Sequence, residues 1–183
     1  MDSNPTTTTT SSSHPINEII NNLNNQDLLL FNLQSLTELL SISNEFHLLS
    51  TNYNNLISSL IQILSNYQNN AEIYLLACRS LSTTIDIFPL AILPFIHKNG
   101  LIPLKNLLLN TMYLDLADHI LKPILKISFD FPRDILNANL LFPSLQYCDF
   151  FDLHLQRTAF QILSNVTSSL HSFTQNGMFS LFH

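Results

Sequence analysis

The chain has 183 residues, 46% of them apolar and only 11% charged, so it can build a core but carries far less charge than the roughly 25% of ordinary soluble domains. Its net charge of −6 and its seven basic residues, three Arg and four Lys scattered singly, exclude the basic stripe that nucleic-acid binding requires. Two cysteines 70 residues apart exclude a disulfide scaffold and suit a reducing compartment, so cytoplasm or nucleus is the expected location.

Residues 1–14 are a Thr/Ser-rich stretch that cannot bury enough apolar surface to offset chain entropy, and a disordered tail is expected there. The stretch has neither the basic start nor the apolar run of a signal peptide. Order is expected from Pro15, whose fixed φ suits a first helical turn. Helical pairs follow. Ile16–Leu23 joins Leu28–Ile42, in which Leu29, Leu33, Leu36 and Leu40 share one face. Leu56–Leu64 joins Ala71–Phe88, with Tyr74, Ala77, Cys78, Leu81 and Ile85 on one stripe. The apolar run Ile87–Ile96 is too short to cross a bilayer and contains Pro89 and Pro94. Leu101–Leu109 joins Leu114–Phe129, with Ala117, Ile120, Leu121 and Ile124 in register. Pro123 falls inside this last helix, where a kink is expected rather than a break, because the stripe continues through it. Leu141–Phe150 joins His154–Leu170, with Leu155, Ala159, Ile162, Leu163, Val166 and Leu170 aligned. Both Cys78 and Cys148 then fall inside helices, as small buried hydrophobes. Residues 171–183 depart from the pattern and read as a truncated or irregular end.

The pairs repeat. Leu101-Ile102-Pro103-Leu104 returns as Leu141-Phe142-Pro143-Ser144, 40 positions on, and Phe88-Pro89 returns as Phe131-Pro132, 43 positions on. Short helices after Pro89 and Pro132 complete a three-helix unit. Asn99-Gly100 ends one of them with a left-handed cap, and Asn139 stands at the matching place. A period near forty residues is that of armadillo or HEAT arrays, whose units cannot bury an apolar face alone. The expected fold is all-α: an armadillo-like α-solenoid over residues 15–170, wound as a right-handed superhelix of about four repeats. Such an array offers a binding wall rather than a catalytic pocket.

Further residues carry a resemblance. They are Ala77-Cys78-Arg79-Ser80-Leu81, Leu114-Asp115-Leu116-Ala117, Leu121-Lys122, Lys126-Ile127-Ser128, Phe131-Pro132-Arg133 and Ile135-Leu136-Asn137-Ala138. Tyr147-Cys148-Asp149-Phe150-Phe151 followed by Gln156-Arg157 is the most specific piece. With these residues, Ile16 to Leu170 resembles the armadillo region of HECT-type E3 ubiquitin ligases of the ubiquitin-fusion-degradation, KAKTUS and thyroid-receptor-interactor type. Asn139-Leu140 stands where that family usually has Gly-Gly, and Pro123 where it has a small residue. The resemblance implies a substrate- or ubiquitin-recognition segment acting in ubiquitin-dependent protein degradation. Its implied partners are protein substrates, often already carrying ubiquitin, together with a HECT domain and an E2 enzyme in the full-length family. The HECT domain is not in this sequence, and neither Cys78 nor Cys148 has a HECT-like motif around it. A general armadillo scaffold for protein–protein interaction, or a non-functional gene fragment with an apolar end, would share the same pattern.

Candidate binding residues lie on the long helices that close each unit. Arg79 and Arg157 can grip acidic or carbonyl groups of a partner, or form internal pairs such as Arg157 with Asp152. Asp118 and His119 sit at similar depth and can continue a groove or simply be solvated. Asn165 can clamp an extended peptide backbone. Phe142, Tyr147, Phe150 and Phe151 are core candidates, with one of the adjacent pair left exposed at an edge. No cofactor or metal is expected: the seven histidines never pair with each other or with Cys at i, i+3 or i, i+4. Without a Gly-x-Ser-x-Gly elbow, a phosphate loop or more than two glycines, no catalytic residue is assigned.

Overall fold

Asparagine and proline punctuate a chain of helices. The computed structural model describes residues 15–42, 51–66, 70–110 and 114–179, and among them every regular element is helical. The tail 1–14 lies outside the described residues. Helix α1 (Pro15–Asn22) leads through a 3₁₀ turn into α2 (Leu29–Ile42). Helices α3 (Tyr53–Ser65) and α4 (Ala71–Ile87) form the next pair. A 3₁₀ turn at Pro89–Ala91 opens α5 (Ile92–His97), followed by α6 (Leu101–Asn110) and α7 (Leu114–Asp130). The last unit is α8 (Pro132–Asn137), α9 (Leu141–Leu145), a turn at Cys148–Phe150, and α10 (Leu153–Phe179). The backbone of α10 thus continues as helix beyond Leu170.

The long helices α2, α4, α7 and α10 pack side by side in chain order, and α1, α3, α6 and α9 form a second layer behind them. The core lies between the layers. Leu33, Leu36 and Leu40 of α2, Ala77, Cys78 and Leu81 of α4, Ile120, Leu121 and Ile124 of α7, and Ala159, Ile162 and Val166 of α10 are fully buried there. Each large aliphatic side chain so buried contributes about 1.5–3 kcal/mol, against at most a few tenths from its helix propensity. Packing between units, not local preference, therefore holds these helices. Leu163 is only half-buried and Leu170 exposed, so the stripe of α10 turns outward before its predicted end.

The repeat is geometric as well as textual. Phe88 and Phe131 each sit just before a helix with Pro at its first position, and each donates its N–H back to the preceding long helix at 2.8 Å. Asn99 and Asn139 adopt φ of 59° and 55°, and the N–H of the next residue reaches back five residues in both: Gly100 to Phe95 at 2.9 Å, Leu140 to Ile135 at 3.1 Å. This is the Schellman closure. Pro103 and Pro143 are both the buried third residue of the following helix. The left-handed residue is the asparagine, while Gly100 is there for space. A Cβ on Gly100 would stand 2.3 Å from the Phe95 ring.

Asparagines also start helices. Asn52 caps α3 by accepting the N–H of Asn55 at 3.1 Å, and Asn70 caps α4 by accepting that of Glu72 at 3.0 Å. Pro123 is buried inside an unbroken α7, where its missing N–H and its ring cost about 3 kcal/mol that inter-helix packing must offset. The predicted helix Leu141–Phe150 is divided. Tyr147 leaves helical geometry at φ −112° and ψ 19°, and its hydroxyl donates to the Leu109 carbonyl of the unit before at 3.2 Å. Cys148 therefore sits half-buried in a turn rather than buried in a helix, whereas Cys78 is fully buried and its thiol is pushed up by that burial. Of the adjacent phenylalanines, Phe151 is buried and Phe150 exposed.

Candidate partner-binding face

The buried stripes fix which residues the long helices turn outward. On α4, Cys78 and Ser80 are wholly buried, so Arg79 between them is exposed. It borders a shallow cavity of about 140 Å3 between α2 and α4, with Gln34, Glu38 and Leu76 around it. On α10, Leu153, Arg157 and Phe160 fall at i, i+4 and i+7 on one face, and all three are exposed. Neither Arg79 nor Arg157 has a hydrogen bond or ion pair to its guanidinium among the described residues. The internal partner expected for Arg157 is engaged elsewhere: Asp152 caps α10 by accepting the Leu155 N–H at 2.8 Å.

His119 is half-buried on α7. Its proton affinity is lowered, first by burial, then by the Lys122 and Arg79 cations, with Asp118 and Asp115 opposing. Arg79 and His119 are thus close enough across α4 and α7 to act on one another. Because the folded state holds this imidazole below its ordinary value, the unfolded chain binds the proton more readily. Stability is therefore lost as pH falls below about 6.5. His119→Gln should flatten the fall of melting temperature from about pH 7 to about pH 5, variant against parent. Superimposable profiles would contradict the burial of His119.

Asp118 is part of the array's own bracing. Its carboxylate pairs with Lys122 one turn on, and its Oδ1 lies 3.8 Å from His154 Nε2 on α10. That is ion-pair range but beyond hydrogen-bond reach, which leaves the buried Oδ1 without a hydrogen bond. Asn165 is engaged too. Its amide donates to Ser128 Oγ at 2.8 Å and its carbonyl accepts from Gln161 at 2.9 Å, which leaves one N–H and one lone pair of the carboxamide.

These bonds belong to a set of rungs between neighbouring long helices. Gln34 meets Glu72 at 3.5 Å, Thr37 meets Ser80 at 2.9 Å inside the core, and Asp86 pairs with Lys126. Burial lowers the proton affinity of Lys126. The sequence carried a signal for these pairs: complementary polar residues 37–43 positions apart, one repeat period, on neighbouring long helices. What remains outside the rungs is a face with two unpaired guanidinium groups, a half-buried imidazole and exposed apolar side chains. It can grip carbonyl or carboxylate groups and cover apolar surface, and it brings together no nucleophile with a base. No group of three or more His, Cys, Asp or Glu among the described residues is placed to hold a metal. No helix among them is long and apolar enough to cross a membrane.

Residues 3–137 match the family described as E3 ubiquitin-protein ligase TRIP12-like, TPR repeats. E3 ubiquitin-protein ligase UPL4 of Arabidopsis thaliana is 36% identical over 144 residues, which is 78% of this chain and 10% of that protein. E3 ubiquitin-protein ligase UPL3 of the same plant is 34% identical over 140 residues, 76% of this chain and 7% of that protein. Ubiquitin fusion degradation protein 4 of Saccharomyces cerevisiae is 31% identical over 119 residues, 64% of this chain and 8% of that protein. The chain thus spans a tenth or less of the length of these relatives. The family description names tetratricopeptide repeats, which are helix pairs of 34 residues. Here the last two units carry an additional short helix and repeat after 40 residues, the armadillo pattern.

Proposed function

The chain belongs to the TRIP12-like E3 ubiquitin-protein ligase repeat family, and on that premise we propose that its array is the substrate-holding segment of a HECT-type E3 ubiquitin ligase. It works in ubiquitin-dependent protein degradation, in the cytoplasm or nucleus. The array holds a protein substrate, one already carrying ubiquitin included. A HECT domain and its E2 partner, outside this segment, carry out the transfer. The observation that carries this reading is the pair of exposed, unpaired guanidinium groups of Arg79 and Arg157 on the long-helix face. A guanidinium without an internal partner keeps all five donors for a partner's carbonyl or carboxylate groups. Both arginines are exposed, so replacing them leaves the core untouched.

Arg79→Glu combined with Arg157→Glu should weaken capture of a ubiquitin-fusion substrate by about tenfold or more, roughly 1.4 kcal/mol, with the melting temperature unchanged. Pull-down followed by titration measures it. Unchanged affinity would remove both residues from the site. Failure of the parent chain to bind ubiquitin or any ubiquitin fusion would overturn the substrate-holding role.

A further inference from the structure

We infer that the cleft between the α5–α6 corner and the α8–α9 corner binds an extended peptide segment that carries a carboxylate. This cleft lies at the seam of the last two units, has a volume of about 410 Å3, and shares no residue with the Arg79–Arg157 face. That volume is within the roughly 300–1,000 Å3 of ligand-holding pockets.

Three carboxamides, Asn99, Asn137 and Asn139, stand around it with Lys105 and Asp134. None of these five side chains makes a hydrogen bond or ion pair among the described residues. Other seams of the array behave differently. Between the second and third units, Lys98 reaches across and donates to the Asn54 carbonyl at 3.1 Å and to Ser58 Oγ at 2.6 Å. The repeat equivalent of Lys98, 40 residues on, is Ala138, which has no side chain to span the gap. The cleft is the space that this alanine leaves open.

The chemistry of the rim defines the ligand. Each carboxamide offers a donor and an acceptor, the complement of a peptide unit. Lys105 supplies a cation for a carboxylate, and Asp134, unpaired with it, accepts N–H donors at another point of the rim. Exposed Ile102 adds an apolar wall. Asn99 and Asn139 are set in place by the hydrogen-bonded closures of α5 and α8, so their carboxamides start from a fixed backbone. The carboxylate has two sources, an acidic side chain within the segment or a free chain end.

Titration of the 15N-labelled full chain with three small probes tests this. The probes are acetyl-Ala-Glu-Ala-amide, acetyl-Ala-Gln-Ala-amide and acetyl-Ala-Ala-Ala with a free carboxylate. Amide shifts confined to residues 96–105 and 134–139, with at least about fivefold weaker binding of the Gln probe, are expected. Whichever of the two carboxylate probes binds more tightly names the source. Asn99→Gly with Asn139→Gly keeps the left-handed backbone and removes only the carboxamides, so it should weaken binding about fivefold or more at unchanged melting temperature. Ala138→Trp should abolish binding by filling the cleft without adding charge. No shifts with any probe, equal binding of all three, or full binding by the Ala138→Trp chain would overturn the assignment. Because no step uses Arg79 or Arg157, failure here leaves the substrate-holding role standing.

Discussion

Ala77→Arg is expected to abolish the cooperative melting of the array. Ala77 is fully buried on α4, and α4 is the helix that packs against both α2 and α7. The space beside it admits a methyl group. An arginine there must either displace the neighbouring helices or leave a charge in the core with no acceptor. Stranding an unpaired charge costs several kcal/mol, and a domain of this kind has only about 5–15 kcal/mol in total. Circular dichroism melting and size-exclusion chromatography read the result: loss of the sigmoidal transition and self-association of exposed apolar faces. Arg79→Ala, two residues along on the solvent side, is the control and should stay within about 0.5 kcal/mol of the parent. Parental helicity and melting of Ala77→Arg would mean that α4 presents a different face to its neighbours.

Gly100→Ala is the second large effect, because one methyl group has nowhere to go. Its Cβ would meet three atoms of the Phe95 ring at 2.3–2.6 Å, well inside van der Waals contact. Phe95 is itself fully buried, so the ring cannot swing into solvent. Overpacking of this kind costs about 1–3 kcal/mol, or roughly 2–4 °C of melting temperature for each kcal/mol in a chain of this size. Phe95→Leu in the Gly100→Ala background should recover part of the loss, giving a coupling of about 1 kcal/mol or more in the double-mutant cycle. The next unit meets the same need differently, with Ile135 and Leu140 at the equivalent places, both buried. A Gly100→Ala chain as stable as its parent would show that the Phe95 ring yields freely and that glycine is not required for space.

Several features were legible because they are local or periodic. The Phe-Pro pairs at 88–89 and 131–132 announce two helix starts, since proline supplies the φ of a first turn and lacks the N–H that would go unsatisfied there. The buried stripes of α2, α4 and α7 follow from helical spacing alone. The family, too, could be recognised from short residue blocks, although the matching family region ends at residue 137, before the Asp149-Phe150-Phe151 block that looked most specific. What stayed hidden depends on which units face each other. Asn99 and Gly100 both look like left-handed residues; the folded backbone gives the positive φ to Asn99, and the position of the Phe95 ring gives Gly100 its need for space. Setting α7 and α10 side by side brings Asp118 near His154 and joins Asn165 to Ser128, contacts that helical spacing within one unit does not show. The abundance of asparagine, which composition alone leaves without a role, serves helix caps at Asn52 and Asn70 and left-handed turns at Asn99 and Asn139.

The long-helix face as the recognition surface is tested most directly by hydrogen–deuterium exchange or amide-shift mapping of the full chain with a ubiquitin-fusion substrate. Protection centred on the exposed sides of α4, α7 and α10, around Arg79, His119 and Arg157, is the predicted result. Protection confined to the opposite layer of α1, α3, α6 and α9, or none at saturating substrate, would contradict it.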